Sequence, residues 1–206
     1  MRELDPTKTN RAKAFELWMN APMPMVTLVK TFDITPVVSC SKRKGLKLNM
    51  LLCYLIGKAA SQIDELYLLA KDGKLWQFDK LAINVIVSLR GGGIENCDIP
   101  FDGDLAKFNE SYLSITKRTQ ETGEGYALGE EYNIIGTSAV GGTEIDCAVN
   151  LYSGIYNNPF LVWGRYKKKF IKYLLPISMQ FHHTQMDGKH VARFLELLQA
   201  EIKNLK

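Results

Sequence analysis

Runs of β-forming residues dominate this sequence, and they limit most strongly the fold that the chain can adopt. They are rich in Val, Ile, Tyr and Phe, and turns containing Gly, Asn or Asp separate them. The predicted strands are residues 25–34, 74–78, 83–89, 132–138, 146–152, 160–166 and 174–182.

Helical periodicity occurs in fewer places. Apolar residues recur at helical spacing over residues 11–19, 49–63 and 191–205, which predicts helices that face a core. Strands therefore outnumber helices, and there is no regular alternation of strand and helix. This pattern favours an α+β fold, a two-layer sandwich in which a mixed, largely antiparallel sheet packs against helices.

Composition is that of an ordinary globular protein, with 46% hydrophobic and 23% charged residues. Without a linker-like or repetitive segment, residues 1–206 are predicted to form a single domain. The first twenty residues carry charges throughout, and no apolar run has the length of a membrane span. We therefore expect a cytoplasmic protein that does not associate with membranes.

The cysteines and the basic clusters carry less information. Cysteines at 40, 53, 97 and 147 show no paired spacing, which indicates free thiols in a reducing compartment. The net charge is +4, and the basic clusters at residues 41–47 and 165–169 are too short to indicate a nucleic-acid surface. Each cluster is either a solvated turn or a contact for a small phosphorylated ligand.

All three histidines of the chain lie between residues 182 and 190. Side chains alternate between the faces of a strand, so His183 is expected to continue the apolar row that includes Met179 and Phe181. A histidine at the end of a buried row is desolvated, which favours its neutral form. His183 is therefore a candidate general base.

Asp187 precedes a glycine in a predicted turn just before the last helix. It could accept hydrogen bonds from the turn backbone or hold an arginine. Three interpretations of the segment stay open: a structural cluster, a general base for acyl transfer, or a metal site of His183, Asp187 and His190. The metal site lacks a regular spacing that would bring its ligand atoms together.

The string His-His-Thr-Gln-Met-Asp-Gly-Lys-His-Val-Ala-Arg-Phe at residues 182–194 resembles the HHxxxDGxHxxRF motif of the chloramphenicol acetyltransferases. HxxxDG alone is shared with other coenzyme A-dependent acyltransferases, but further matches run in order along the chain. These are residues 14–18, 32–35, 54–56, 62–66, 71–72, 112–114 and 174–178.

The resemblance implies acetyl transfer from acetyl-coenzyme A, without a metal, to a hydroxyl of chloramphenicol, and hence antibiotic resistance. It implies a homotrimer whose active sites lie between subunits and accept the two substrates from opposite ends of a tunnel. It assigns the base to His183 and a structural ion pair to Asp187 and Arg11. Neither a nucleic-acid nor a membrane partner is expected.

Other site residues depart from the family pattern. The family serine that binds the oxyanion matches Ser138 after a three-residue shift, with Thr137 as the second choice, but the Pro-Trp pair that follows in the family is missing. Val162 replaces a threonine of the family. Trp18 occupies the aromatic position of the acceptor pocket, although it could equally be a core or interface residue.

Positions near the cofactor match Lys47, Arg165 and Tyr166, which would offer charge and an aromatic ring to coenzyme A. Because the acceptor region departs from the pattern, two alternatives accompany the chloramphenicol hypothesis. One is an O-acetyltransferase that acts on a different small alcohol. The other is a catalytically weak relative that binds an acyl-coenzyme A.

Overall fold

The computed structural model describes residues 1–150, 152 and 154–205. The strands are β1 Arg2–Leu4, β2 Met25–Asp33, β3 Leu68–Lys71, β4 Lys74–Gln77, β5 Lys80–Ser88, β6 Ile94–Phe101, β7 Tyr132–Ala139, β8 Phe160–Trp163, β9 Lys167–Lys169 and β10 Lys172–His182. The α-helices are α1 Ala12–Trp18, α2 Thr35–Lys44, α3 Leu48–Ala60, α4 Leu105–Thr122 and α5 Gly188–Asn204. Short 3-10 helices occupy Pro6–Lys8 and Asp64–Tyr67.

The main sheet is mixed. Its strand order is β2-β10-β8-β7-β5-β6, and β9 forms a hairpin with β10. The pairs β8–β7 and β7–β5 are parallel, whereas the remaining pairs are antiparallel. A separate small sheet has the order β1-β4-β3. The predicted α+β class and the largely antiparallel mixed sheet are confirmed.

Helices cover one face of the main sheet. The alternating residues Ile177, Met179 and Phe181 of β10 lie in the core cluster, together with most of α3 and the apolar stripe of α5. The side chains between them in sequence point to the opposite face. The face of the sheet to which a side chain points therefore determines whether it packs in the core or could line a functional site.

Helices α2 and α4 were missed by the sequence prediction. Helix α2 contains β-branched residues, which lowers its helix propensity, but Pro36 lies in its first turn and its end is a left-handed Gly45 with φ of 66°. Helix α4 is largely polar, and the carboxylate of Asp104 caps it by accepting from the N–H groups of Ala106 and Lys107. End signals, rather than periodicity, mark both helices.

The predicted strand over residues 146–152 is wrong for its described residues, 146–150 and 152, which form no strand. Here the backbone bonds to side chains of the sheet: the Ala148 N–H donates to Ser178 Oγ at 2.8 Å, and Gln180 Nε2 donates to Asn150 O at 2.7 Å. Strand β6 was also missed. It forms a hairpin with β5 across residues 89–93.

Within the described residues, no helix is long and apolar enough to cross a membrane. No disulfide joins the four cysteines within the described residues; Cys40, Cys53 and Cys97 are buried and Cys147 is exposed. Burial raises the pKa of the Cys53 thiol to about 12, so this sulfur stays protonated and unreactive.

Candidate active site

The histidine pair lies where β10 ends and turns toward α5. The strand ends at His182, which is where the predicted strand ends, and His183 lies in the turn that follows instead of continuing the apolar row. The His183 N–H still donates to Pro24 O at 2.8 Å, which keeps the start of the turn attached to the segment before β2.

His182 is the more deeply buried ring. Its exposed fraction is 0%, and desolvation, together with the neighbouring His183, lowers its pKa to about 4. Its Nδ1 accepts from the Thr184 N–H at 3.2 Å, and its Nε2 is buried without a partner among the described residues. His182 is therefore a neutral ring that an alcohol cannot reach in this chain. The sequence predicted a buried ring at His183, but the fully buried ring is His182, and His183 is only partly buried.

The His183 ring is partly buried and held by an aromatic neighbour. It stacks on Trp18, with ring centroids 4.6 Å apart and planes only 2° from parallel. Its Nδ1 is buried and has no hydrogen-bond partner in the described part of the chain. Stacking on an indole fixes the plane of the imidazole, so the nitrogens of His183 have a defined direction.

Arg11 holds the turn that carries His183. Its side chain is 4% exposed and donates three hydrogen bonds: Nε to Thr184 O at 3.0 Å, Nη1 to Asp187 Oδ2 at 3.0 Å, and Nη2 to His183 O at 2.9 Å. The planar guanidinium thereby satisfies two consecutive backbone carbonyls and a carboxylate at once. The ion pair that the resemblance implied is present, and Arg11 also binds the backbone carbonyl of His183, the candidate base.

Asp187 caps α5 while it binds Arg11. Its Oδ1 accepts from the Lys189 N–H at 3.0 Å. Partial burial raises the pKa of Asp187, but the hydrogen bond from Arg11, the nearby His190 and the Lys189 N–H together lower it below its ordinary value. Both roles considered for this residue, backbone cap and arginine partner, are therefore present.

The metal-site interpretation receives no support from the arrangement of these residues. In the part of the chain that is described, no cluster of three or more His, Cys, Asp or Glu side chains could hold a metal ion. His190 points instead to Glu65, with Nε2 3.1 Å from Oε1. Sequence reasoning missed Glu65, because no spacing signal connects it to a histidine so far along the chain.

Ser138 and Thr137 are neighbours in β7 but point to opposite faces of the sheet. Thr137 lies on the helix side, is 2% exposed and donates from Oγ1 to Asn84 O at 2.7 Å. Its proposed role as an oxyanion donor is therefore corrected, because its hydroxyl is buried and already bonded. Ser138 lies on the face without helices and is partly buried.

Within one chain, Ser138 lies far from His183. It is paired with Val162 of β8, which is 7% exposed, and Val162 is paired with Ser178 of β10. His183 follows the last residue of β10, which lies four residues beyond Ser178; at about 3.3 Å per residue and about 4.8 Å between strands, the end of β10 is about 16 Å from Ser138. Ser138 and His183 cannot act on the same small alcohol in a single subunit.

The residues expected to bind the cofactor lie in two neighbouring surface segments. Exposed Lys47 occupies the N-cap of α3, while Arg165 and Tyr166 follow β8. The Tyr166 ring contacts Tyr173 edge to face at 5.2 Å, and Lys42 Nζ lies 5.7 Å from the centre of the Tyr173 ring. Lys42 and Tyr173 were not predicted. They bring both basic clusters of the sequence to the same aromatic pair.

Comparisons with known proteins agree on one relationship. The family model described as chloramphenicol acetyltransferase matches residues 1–199. Chloramphenicol acetyltransferase 3 of Escherichia coli is 28% identical over 201 residues, which cover 95% of this chain and 93% of that protein. A chloramphenicol acetyltransferase of Clostridium perfringens is 26% identical over 206 residues, covering 98% and 94%.

Solved structures show the same fold. A chloramphenicol acetyltransferase structure matches with a TM-score of 0.84 at 18% identity, covering 98% of this chain and 99% of the other. A probable dihydrolipoamide acetyltransferase from Listeria monocytogenes matches with a TM-score of 0.69 at 10% identity, covering 100% and 95%.

Proposed function

Because this chain belongs to the chloramphenicol acetyltransferase family, a family of acyltransferases, we propose that it transfers the acetyl group of acetyl-coenzyme A to a hydroxyl of chloramphenicol, with His183 as general base. We assign the base to His183 because the protein fixes its position: its ring stacks on Trp18, and its backbone carbonyl accepts a hydrogen bond from Arg11.

The reaction needs one group that moves a proton twice. A nitrogen of His183 takes the hydroxyl proton of the acceptor while the acceptor oxygen attacks the thioester carbonyl carbon. The tetrahedral intermediate then breaks its carbon–sulfur bond, and the imidazolium returns the proton to the departing sulfur. The products are the acetyl ester and coenzyme A with a free thiol.

The oxyanion of that intermediate needs a hydrogen-bond donor. We assign this role to Ser138 of a second copy of the chain, because Ser138 is too far from His183 of its own chain. The proposed assembly is a homotrimer with its active sites between subunits. Ser138 lies on the sheet face that carries no helices, and a neighbouring subunit would approach this face.

Acetyl-coenzyme A would bind along the basic and aromatic surface formed by Lys47, Arg165 and Tyr166. Lysine and arginine supply charge for the phosphates, and the Tyr166 ring, supported by Tyr173, supplies an apolar face. The four cysteines form no disulfide among the described residues, which suits a reducing compartment, and we propose that the protein works in the cytoplasm.

One observation favours an acceptor other than chloramphenicol. Val162 is paired with Ser138 and puts an apolar side chain where the family pattern has a threonine hydroxyl. A site that hydrogen-bonds a polar group of its substrate owes much of its specificity to that bond, and the side chain of Val162 cannot make one. The second candidate function is therefore acetylation of a different, less polar alcohol by the same residues.

Thiol release from acetyl-coenzyme A tests this proposal directly. The purified protein should release thiol when chloramphenicol is added and only at the background rate without it. Release with another small alcohol, but not with chloramphenicol, would favour the second candidate. Tight coenzyme A binding by calorimetry, without release over a broad panel of alcohols, would indicate a binding protein and refute the enzyme.

Mixed assemblies test the shared site. His183→Ala and Ser138→Ala subunits are each expected to be nearly inactive, and unfolding and refolding them together should restore part of the activity. Some interfaces of a mixed assembly then combine an intact His183 with an intact Ser138. If the mixture is no more active than the separate variants, the two residues do not complement each other across an interface.

A further inference from the structure

His190 is a titratable ring beside the site that the proposed mechanism does not use. Its Nε2 is 3.1 Å from Glu65 Oε1, and the two side chains are 19% and 13% exposed. Its Nδ1 accepts from the Asp187 N–H at 3.2 Å. The ring therefore joins the 3-10 helix Asp64–Tyr67 to the N-terminus of α5.

These contacts determine which nitrogen of His190 carries a proton. A neutral imidazole has one N–H and one lone pair, and a carboxylate is only an acceptor. In the neutral ring whose Nδ1 accepts from the Asp187 N–H, the proton lies on Nε2 and points to Glu65. The Nδ1 atom is also 3.1 Å from Asp187 Oδ1, a contact that becomes a hydrogen bond only when Nδ1 is protonated.

Removal of the Glu65 carboxylate would free the ring to adopt the other tautomer. A proton on Nδ1 would then donate to Asp187 Oδ1, which already accepts from the Lys189 N–H. The Asp187 N–H would lose its acceptor at the same time. Both changes move the carboxyl group whose other oxygen binds Arg11.

The path continues from Asp187 to the base. Arg11 donates to Asp187 Oδ2 and, through its other nitrogens, to His183 O and Thr184 O. Glu65 is also tied to the histidine turn by its backbone, because Gln185 Nε2 donates to Glu65 O at 3.1 Å. This backbone contact fixes the position of Glu65 relative to the turn that carries His183.

We propose that Glu65 is a positioning residue for the reaction: through His190, Asp187 and Arg11, it keeps the backbone of His183 where the imidazole can serve as base. This role deepens the proposed function and rests on it. Glu65 does not touch substrate and does not take the proton of the acceptor.

Steady-state kinetics of three variants test the path. Glu65→Ala should lower kcat about 5- to 20-fold, because small displacements of catalytic groups have large effects, and it should leave both KM values unchanged. Glu65→Gln keeps an acceptor oxygen and should recover kcat to within about 3-fold of wild type. The control is Glu131→Ala, which removes an exposed partner of Lys80 and should have no effect.

The third variant, His190→Ala, removes both the acceptor for the Asp187 N–H and the contact with Glu65. It should lower kcat as Glu65→Ala does, and adding Glu65→Ala to it should have no further effect. Additive losses in the double variant would overturn the proposal, as would an unchanged kcat in Glu65→Ala. If Glu65→Ala does not fold, Glu65→Asp replaces it, because the shorter carboxylate falls short of Nε2.

Nitrogen-15 NMR of the imidazoles provides a readout that does not depend on turnover, and three histidines keep the spectrum simple. His190 should be protonated on Nε2 in the wild type and shift toward the Nδ1-protonated tautomer in Glu65→Ala. A wild-type His190 protonated only on Nδ1 would contradict the proposal. If wild type acetylates no alcohol, the proposed function fails, whereas the tautomer measurement still tests the effect of Glu65 on His190.

Discussion

Replacement of Arg11 by alanine is expected to destabilise the protein and to inactivate it, and the size of the first effect follows from its contacts. The guanidinium makes three hydrogen bonds while its side chain is only 4% exposed. Its removal leaves His183 O and Thr184 O without their charged donor. Bonds from a charged group to such carbonyls contribute about 1.5 kcal/mol each at the lower end of the usual range.

The ion pair with Asp187 contributes less to the free energy of unfolding than these two hydrogen bonds do. The Asp187 side chain is 38% exposed, so water replaces much of what the carboxylate loses, and we assign this contact at most about 1 kcal/mol. The sum is a loss of about 3–4 kcal/mol in the free energy of unfolding of Arg11→Ala. For a chain of this length that corresponds to a fall in Tm of about 6–16 °C.

Thermal and urea unfolding at one fixed protein concentration measure this loss, since assembly would make Tm depend on concentration. Arg11→Lys is the matched variant: it keeps the charge, but an ammonium cannot span two carbonyls and a carboxylate. It should fall between wild type and Arg11→Ala in stability. If Arg11→Ala unfolds within about 1 kcal/mol of wild type, the argument that Arg11 holds the turn is refuted.

Three further predictions concern other contacts of the site. Asp187 has a lowered pKa in the folded protein, so its stabilising effect is present at neutral pH and is lost as the pH falls through that pKa. In acid unfolding curves, the difference in stability between wild type and Asp187→Asn should therefore narrow below about pH 4, and a difference that persists unchanged there would contradict the assignment. Ser138→Ala should lower kcat about 10²- to 10³-fold with little effect on unfolding, whereas Thr137→Ala should mainly reduce stability; the reverse result would exchange their roles. Trp18→Ala should lower kcat about 2- to 12-fold, because the His183 ring loses its stacking partner, whereas Trp18→Phe should retain most of the activity. Equal rates in wild type and Trp18→Ala would show that the stack does not matter.

The parts of the fold that the sequence predicts well are those with a strong apolar pattern. Strand β10 and helix α5 have long apolar repeats and were predicted close to their bounds. Residues 146–150 have similar β-forming composition, but their backbone bonds to Ser178 and Gln180 side chains instead of a strand. Composition does not distinguish these outcomes, because the partners come from distant segments.

The site was predictable where a motif specifies it and unpredictable where contacts depend on register or on distant segments. The motif pointed to His183 and Asp187 as candidates, and the resemblance supplied Arg11, which the structure pairs with Asp187. Spacing could not show that His183 leaves the apolar row and lies in the turn after β10. Nor could it show which face of β7 carries an available hydroxyl, since Ser138 and Thr137 are adjacent.

Glu65 illustrates the second limit. It belongs to a 3-10 helix far from the histidine motif in sequence, and the fold brings it against His190 while Gln185 donates to its backbone carbonyl. A pair of this kind has no local signal.

The central claim is that His183 takes the hydroxyl proton of the acceptor. The most direct measurement compares thiol release from acetyl-coenzyme A by wild type and by His183→Ala at saturating acceptor, after circular dichroism has shown that both are folded. The variant is predicted to lose a factor of at least about 10² in kcat, the lower end of what a positioned general base contributes. Equal acceptor-dependent rates for the two folded proteins would contradict the claim.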